Sequence, residues 1–415
     1  MRRAAVLGLV VVAGLAAPAR ASTLDLFGFG MRSPGLAGAG VATADDYESV
    51  YANPAGLAEV RHKRATVGAV LADFALRLDG ADAGVDTATG LVLGGAVPIP
   101  LGGAGKDRVG LGFGFYVPNS AINRARQPFP GEPTYVLLAN RAHVVALQVA
   151  LGVRLTSHVS VGAGVIALAV LRGGIDVSTD AGGHFVSSSE QRLLTRFAPV
   201  VGGRFRRGDL AVGLTVRAPS RSDYDITVTT DLGDAVPLEL PPIRIAGASQ
   251  YDPLTVAAEV ARRRGAVELT AQLAWQRWSA FPAPTLNAVS GSPPQAPPNF
   301  HDTVVPRFAA EWSHAAGRLT AQARMGYAFL WSPAGEQTGQ QSLVDNHRHL
   351  LALGGSLAIA GRLPIRLDFY TQLHLLQART HTKAYVGDSD NPPPSESIRT
   401  CGHLLVVGAA LGVDL

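Results

Sequence analysis

Charge is what this sequence has least of. Only 16% of its 415 residues are Asp, Glu, Lys or Arg, against roughly a quarter in soluble domains. So few charges cannot coat the surface of an ordinary soluble enzyme this long. Cysteine is reduced to Cys401 alone, which excludes an intrachain disulfide and every cysteine-based zinc site. Lysine is confined to Lys63, Lys106 and Lys383, an arginine bias that reads as a GC-rich genome. A true basic excess is missing as well. The sequence pI is about 9.4, yet Arg2, Arg3 and Arg20 lie in the first 21 residues with no acid among them. Without those three, 33 basic residues face 32 acidic ones, so nucleic acid is not the partner. Long apolar runs are absent beyond residue 17. The charge-free stretches 87–105, 155–171 and 278–300 are broken by glycine, proline or polar residues, which excludes a helical membrane span. With 47% hydrophobic residues, a disordered chain is excluded too.

What is present begins with an export address. Met1-Arg2-Arg3 is a positive n-region, Ala4 to Ala17 is apolar, and Ala19-Arg20-Ala21 is a small-x-small cleavage pattern, so residues 1–21 read as a signal peptide and Ser22 as the mature start. Fourteen residues at about 1.5 Å each fall short of a ~30 Å hydrocarbon core.

The body alternates with a period of two. Val109, Leu111, Phe113, Phe115 and Val117 alternate with Gly110, Gly112, Gly114 and Tyr116; Leu147, Val149, Leu151 and Val153 alternate with Gln148, Ala150, Gly152 and Arg154; Leu405, Val407, Ala409, Leu411, Val413 and Leu415 share the last face. The opposite face carries glycines and lone charges of both signs (Arg154, Arg217, Glu268, Glu311, Arg324, Arg366, Asp368), as a polar lumen requires. Segments of about 10–15 residues suit tilted membrane strands better than globular ones. Short links at 156–158, 206–209, 262–265, 316–317 and 361–364 alternate with long polar or proline-rich ones at 118–139, 173–189, 219–241, 280–302, 332–346 and 379–398. That asymmetry belongs to outer-membrane barrels. The strands expected are 64–78, 86–99, 108–117, 142–155, 159–172, 192–206, 209–218, 243–262, 266–278, 303–315, 318–331, 348–360, 364–378 and 400–415. They number fourteen, with Asp252-Pro253 at a kink or edge in the eighth. The fold class is therefore all-β, a 14-stranded antiparallel transmembrane β-barrel over 63–415.

Residues 22–62 do not alternate. They run from Leu24 to Phe29 through Gly35-Leu36-Ala37-Gly38-Ala39-Gly40 and Asp45-Asp46 to Asn53-Pro54-Ala55-Gly56-Leu57. Small residues permit close packing, and a fourteen-stranded barrel leaks unless filled, so 22–62 is expected to be an N-terminal hatch, or plug, in the lumen.

The stretch Ser33 to Leu57, SPGLAGAGVATADDYESVYANPAGL, resembles the hatch of the FadL-type long-chain fatty acid and aromatic hydrocarbon transporters. Echoes continue at Gly112 to Pro118, Trp275 to Phe281, Arg324 to Tyr327 and Asp345 to Arg348. The resemblance implies a fourteen-stranded barrel in the bacterial outer membrane that passes hydrophobic small molecules passively, with lateral exit at a kinked third strand. Asn53, Pro54, Ala55 and Gly56 match the hatch motif. Leu24, Phe27, Phe29 and Met31 are candidate apolar ligand contacts, and Gly110, Gly112 and Gly114 are candidate gate positions in the third strand, where glycine weakens a ladder. The same three glycines also read as ordinary barrel packing. Expected partners are a fatty acid or hydrocarbon ligand and the surrounding outer-membrane lipid and lipopolysaccharide, with the protein a monomer. The polar link 173–189 departs from the apolar capture groove of the family.

Catalytic chemistry is not visible. Gly102 to Asp107 lacks the spacing and hydroxyl of a phosphate loop, Gly247 to Tyr251 lacks the final glycine of a serine elbow, and His347 with His349 has no third ligand. No enzyme, cofactor or metal is expected. The competing readings are a general porin for hydrophilic solutes and a structural or secretion-associated barrel.

Overall fold

The computed structural model describes residues 24–119, 132–139, 144–179, 184–231, 241–283, 297–338, 342–384 and 396–415. Residues 1–21, expected to be a signal peptide, lie outside them. No helix among the described residues is long and apolar enough to cross a membrane.

Sixteen strands of appreciable length form, in chain order: β1 (Arg64–Leu78), β2 (Ala88–Pro98), β3 (Val109–Pro118), β4 (Ala146–Arg154), β5 (Val159–Thr179), β6 (Phe185–Arg207), β7 (Leu210–Arg217), β8 (Ser220–Asp231), β9 (Ile243–Asp252), β10 (Thr255–Arg264), β11 (Val267–Gln276), β12 (Thr303–Ala316), β13 (Leu319–Leu330), β14 (Arg348–Ile359), β15 (Ile365–Ala384) and β16 (Glu396–Asp414). Fourteen of them close an antiparallel ring. β7 pairs with β10, and the ladder from Arg64 opposite Asp414 to Leu78 opposite Thr400 joins β1 to β16. Closure removes free backbone edges from the ring itself, where a membrane would penalise them.

The alternation sets which face is outside. Phe113, Leu273, Phe308, Met325, Leu353 and Leu411 point outward and are exposed, while Arg154, Arg217, Glu268, Glu311, Arg324, Arg366 and Asp368 sit on the opposite, inward face. Turns such as Gly208, Gly265 and Gly317, each at positive φ, make one rim tight. The longer connections gather at the other.

Three expectations need correction. The strand read as 243–262 is two: it breaks at Asp252-Pro253, and its first half, β9, leaves the ring to pair with β8. Proline has no N–H to continue a ladder, so the barrel strand starts afresh at Thr255. The link read as 173–189 is largely strand. β5 and β6 stay paired out to Thr179 opposite Phe185, and β8 adds in parallel to β5 from Leu171 opposite Tyr224 to Ser178 opposite Asp231. A four-stranded sheet thus stands beyond the long-loop rim, in the order β9-β8-β5-β6. The link expected at 219–241 is thus strand over 220–231; these residues and 173–189 are polar enough to read as loop, whereas β9 reads as a barrel strand.

Over the same rim lie the short helix Val136–Ala139 and residues 342–346, joined by Thr134 N–H to Ser342 O at 2.9 Å and Val344 N–H to Thr134 O at 3.0 Å. Tyr251, Trp278, Phe281 and Phe300 pack beside them with ring centroids 5.1–6.4 Å apart.

Candidate functional site

Residues 24–60 lie against the inward faces of strands on every side of the ring. Local chemistry shapes this segment. Asn53 is extended, its Oδ1 accepts from Ala55 N–H at 3.1 Å, and Pro54 follows at the first position of the 3-10 turn Pro54–Glu59, the arrangement a helix start favours. Its Nδ2 donates to Val41 O at 2.7 Å and to Gly203 O of β6 at 3.1 Å. Asn53 therefore caps one turn, ties it to another and fastens both to the wall.

The wall makes room by lacking side chains. A Cβ at Gly152 would meet Pro54 O at 2.5 Å, at Gly162 Pro54 C at 2.3 Å, at Gly213 Val41 O at 2.2 Å and at Gly326 Leu36 C at 2.4 Å. Gly56 itself lies against Ala44 O. These glycines are packing positions for the backbone of the segment.

Polar ties hold one half of the ring. Glu259 of β10, buried, accepts from the backbone N–H groups of Gly40 (2.7 Å), Val41 (2.8 Å) and Ala42 (2.9 Å). Arg204 Nη1 donates to Ala44 O at 2.9 Å, Thr215 Oγ1 to Ala52 O at 2.9 Å, Arg307 Nε to Ala37 O at 3.1 Å, and Gln372 Nε2 to Pro34 O at 2.9 Å. Arg217 donates to Tyr51 OH at 2.7 Å and stacks 3.9 Å above its ring. Toward the tight rim, Arg32 reaches Glu311 at 2.9 Å and Glu268 at 3.4 Å, while Arg324 pairs with Glu311 at 2.7 Å and Asp368 at 3.3 Å. Asp45, exposed at the tight rim and close to Arg32 and Arg204, has its pKa below the ordinary value because those cations outweigh its desolvation.

The other half is mainly apolar, its polar ties being Arg154 of β4 to Ala58 O at 2.9 Å and to Glu59 at 3.3 Å, and Arg64 of β1 to Asp46 at 3.6 Å. Leu24, Phe27, Phe29, Met31, Val50 and Leu57 pack in one cluster with Val70, Phe74, Leu76 and Leu404 of β1 and β16, Val92 and Tyr116 of β2 and β3, and Ile166 and Leu168 of β5. Phe27 faces Phe74 at 6.3 Å and Phe29 meets Tyr47 edge-on at 5.8 Å. Gly112 and Gly114 face this seam: a Cβ at Gly112 would strike Leu57 and Val50, and one at Gly114 the Phe29 ring. Gly110 lies against the Leu57 carbonyl. β3 itself pairs without a register shift along Gly90–Pro98 of β2 and Ala146–Val153 of β4. Opposite Gly114 stands Gln148, fully buried with neither amide atom hydrogen-bonded.

Within the segment, the Glu48 carboxylate accepts from Met31 N–H at 2.6 Å, Arg32 N–H at 2.7 Å and Ser33 N–H at 2.7 Å. Burial, with Asp46 beside it, pushes its pKa from the ordinary 4.5 up to about 7 against the pull of those donors. The space left inside is small: about 50 Å³ between Leu24, Phe27 and Tyr51 and the wall residues Gln272, Arg307 and Leu350, and a charged vestibule of about 380 Å³ at the tight rim among Arg32, Asp46, Arg64 and Arg366.

No family model and no curated protein matches the chain. Solved structures do. A FadL homologue of Pseudomonas aeruginosa is 14% identical with a TM-score of 0.59, over 93% of this chain and 97% of that one. The toluene transporter TodX of P. putida is 13% identical with a TM-score of 0.55, over 94% and 99%. The monoaromatic hydrocarbon channel CymD is 15% identical with a TM-score of 0.53, over 94% and 98%.

The chain folds as a FadL-type barrel.

In outer-membrane barrels the tight turns lie on the periplasmic side and the long loops on the extracellular side. Of the residues singled out in the sequence, Asn53 ties the segment to β6, Pro54 and Ala55 lie against Gly162 of β5, Gly56 packs on Ala44 within the segment, Leu24, Phe27, Phe29 and Met31 lie in the apolar seam, and the three glycines of β3 face that seam. Glu259 and Gln148 escaped the sequence reading. Each is a polar residue set between small ones on its own face, Glu259 between Ala257 and Ala261 and Gln148 between Ala146 and Ala150, and that setting was the available signal.

Proposed function

We propose that this protein is a bacterial outer-membrane channel for passive uptake of hydrophobic small molecules, long-chain fatty acids or hydrocarbons, with residues 22–62 acting as its hatch and export directed by the signal peptide 1–21. The observation that carries the reading is the asymmetry of the lumen. Hydrogen bonds and ion pairs tether the hatch on the β6–β15 side, whereas on the β1–β5 and β16 side it meets the wall mainly through apolar contact. A hydrophobic molecule can displace apolar contact with like for like, gaining about 0.8 kcal/mol per buried methylene, while an ion gains nothing there. Gln148 supplies that seam with its unpaired polar group, suited to a carboxyl or hydroxyl head.

The seam runs along β3, and exit sideways into the membrane requires β3 and β4 to part. Phe113 and Val149 are cross-strand partners on the outward face, at the ~4.5–5.5 Å Cα spacing of antiparallel pairs, within disulfide range. In cells dependent on this protein for growth on a long-chain fatty acid or hydrocarbon, the Phe113→Cys/Val149→Cys variant is expected to stop uptake when oxidised and to regain it with reductant. Uptake indifferent to the crosslink overturns lateral exit at β3. Growth on neither substrate class with the native chain overturns the uptake reading.

A further inference from the structure

Away from the lumen, two concavities lie in line on the outside of β12–β15. The lower is apolar and faces the membrane: Phe308, Met325, Tyr327, Leu351 and Leu353 form its walls and Gly326 its thin floor, enclosing about 550 Å³. The upper, about 430 Å³, sits where these strands emerge on the extracellular side and is lined by His301, Ser332, His347, Gln377 and Arg379. An aromatic band separates them. Phe329 meets Trp331 edge-on at 4.6 Å and His349 at 5.0 Å, and His347 lies 6.0 Å from the Phe329 ring. Such bands sit at the level of lipid headgroups.

The upper pocket is built from donors. Arg379 Nη1 reaches only neutral acceptors there, Ser332 Oγ and Asp345 O, at 3.4 Å each, long bonds that leave the guanidinium's remaining N–H groups for a ligand. His347 Nδ1 accepts from Ser332 N–H at 2.9 Å, which fixes the ring and presents Nε2 as a donor. Asp302, the acid next to His301, is engaged by Ser279 N–H at 3.0 Å. An arginine and two histidines line the pocket with no carboxylate among the lining residues, Asp345 being buried beside Ser332 within electrostatic reach of Arg379 and His347; the donor set suits a tetrahedral oxyanion.

From this alignment we propose that the outer face of β12–β15 is a binding site for a phosphorylated lipid of the outer leaflet, with an acyl chain in the Phe308–Met325–Leu353 groove and a phosphate monoester in the Arg379–His347–His301 pocket. About 13 Å of strand separates Leu351 from His347, at roughly 3.3 Å per residue. One amphiphile bridges that span; a free phosphate fills only the upper part.

The test is native mass spectrometry of the full-length protein in a mild detergent, titrated separately with bisphosphoryl lipid A, its dephosphorylated form, a long-chain fatty acid and inorganic phosphate. The expected result is retention of the bisphosphoryl lipid, with about tenfold or more weaker retention of the dephosphorylated form and of the Arg379→Gln variant, the loss of a charge-assisted contact. Ala378→Glu, at an exposed position on the pocket wall, is expected to repel the phosphate likewise without disturbing a buried residue, and retained heat-modifiable gel migration confirms that each variant is folded. Equal retention with and without phosphate, or tighter binding of the fatty acid, overturns the assignment. Displacement of the lipid by equimolar inorganic phosphate reduces the site to a free-phosphate pocket and overturns the lipid part.

Discussion

Replacing Glu259 by leucine tests whether polar tethers, rather than the fit of the segment, hold the hatch closed. The side chain keeps its bulk but loses three backbone acceptor contacts, to Gly40, Val41 and Ala42, in a site closed to water. At about 1 kcal/mol per hydrogen bond, the loss is about 3 kcal/mol, before any penalty for stranding the N–H groups. At 1.4 kcal/mol per decade, the released population of the hatch rises about a hundredfold. Arg32, nearly buried at 11% exposure in the closed state, reports that population, because cleavage of a transiently opened segment tracks its equilibrium when reclosing is fast. Trypsin should cut after Arg32 about a hundred times faster in Glu259→Leu, while the barrel keeps its heat-modifiable migration, and planar bilayers should show ion currents the native protein lacks. Cleavage within about threefold of the native rate, under 1 kcal/mol, refutes the tether.

Three further outcomes follow from the same geometry. Gln148→Leu removes an unpaired buried amide and should raise the thermal midpoint, by an amount corresponding to about 1–3 kcal/mol, while lowering uptake of fatty acid more than of hydrocarbon; a lower midpoint refutes the unpaired assignment. Asn53→Ala deletes the acceptor for Ala55 N–H, so hydrogen exchange at Ala55 should accelerate about tenfold with little change in strand amides. Glu48, with its pKa raised to about 7, favours the closed hatch when neutral. That support is full below its ordinary 4.5 and is lost as pH rises through 7, so tryptic cleavage after Arg32, corrected for trypsin's own pH dependence, should increase between pH 5 and 8, and Glu48→Gln should flatten the profile.

Much of this architecture was legible in the residues because membrane strands obey a two-residue period over long runs. The alternation at Val109–Val117 fixed both the strand and its lipid face. Outside the membrane the pattern misleads in both directions: 220–231 reads as part of a long link and 243–252 as a barrel strand, although the two pair above the rim, and Asp252-Pro253 marks the break. The segment 24–60 stood out as a small-residue stretch with an Asn-Pro-Ala-Gly turn, but its contacts with the wall did not. Glu259 lies 219 residues from Gly40, a contact no local pattern carries. The β3 glycines illustrate the remaining ambiguity: the sequence spacing is the same whether they weaken a ladder or admit Leu57, Val50 and Phe29.

The glycine contacts carry a consequence for how such a protein can drift. At Gly110, Gly152, Gly162, Gly213 and Gly326 the wall touches the backbone of the hatch, its carbonyls and amides, rather than its side chains. A hatch can therefore exchange most of its side chains without disturbing these contacts, provided its chain path is kept. The wall enjoys no such latitude, because even alanine at these positions intrudes on atoms every hatch must have. Sequence divergence should accordingly pool in the plug's side chains and spare a few small residues scattered over strands far apart in the chain, a pattern that pairwise identity hides and three-dimensional superposition reveals.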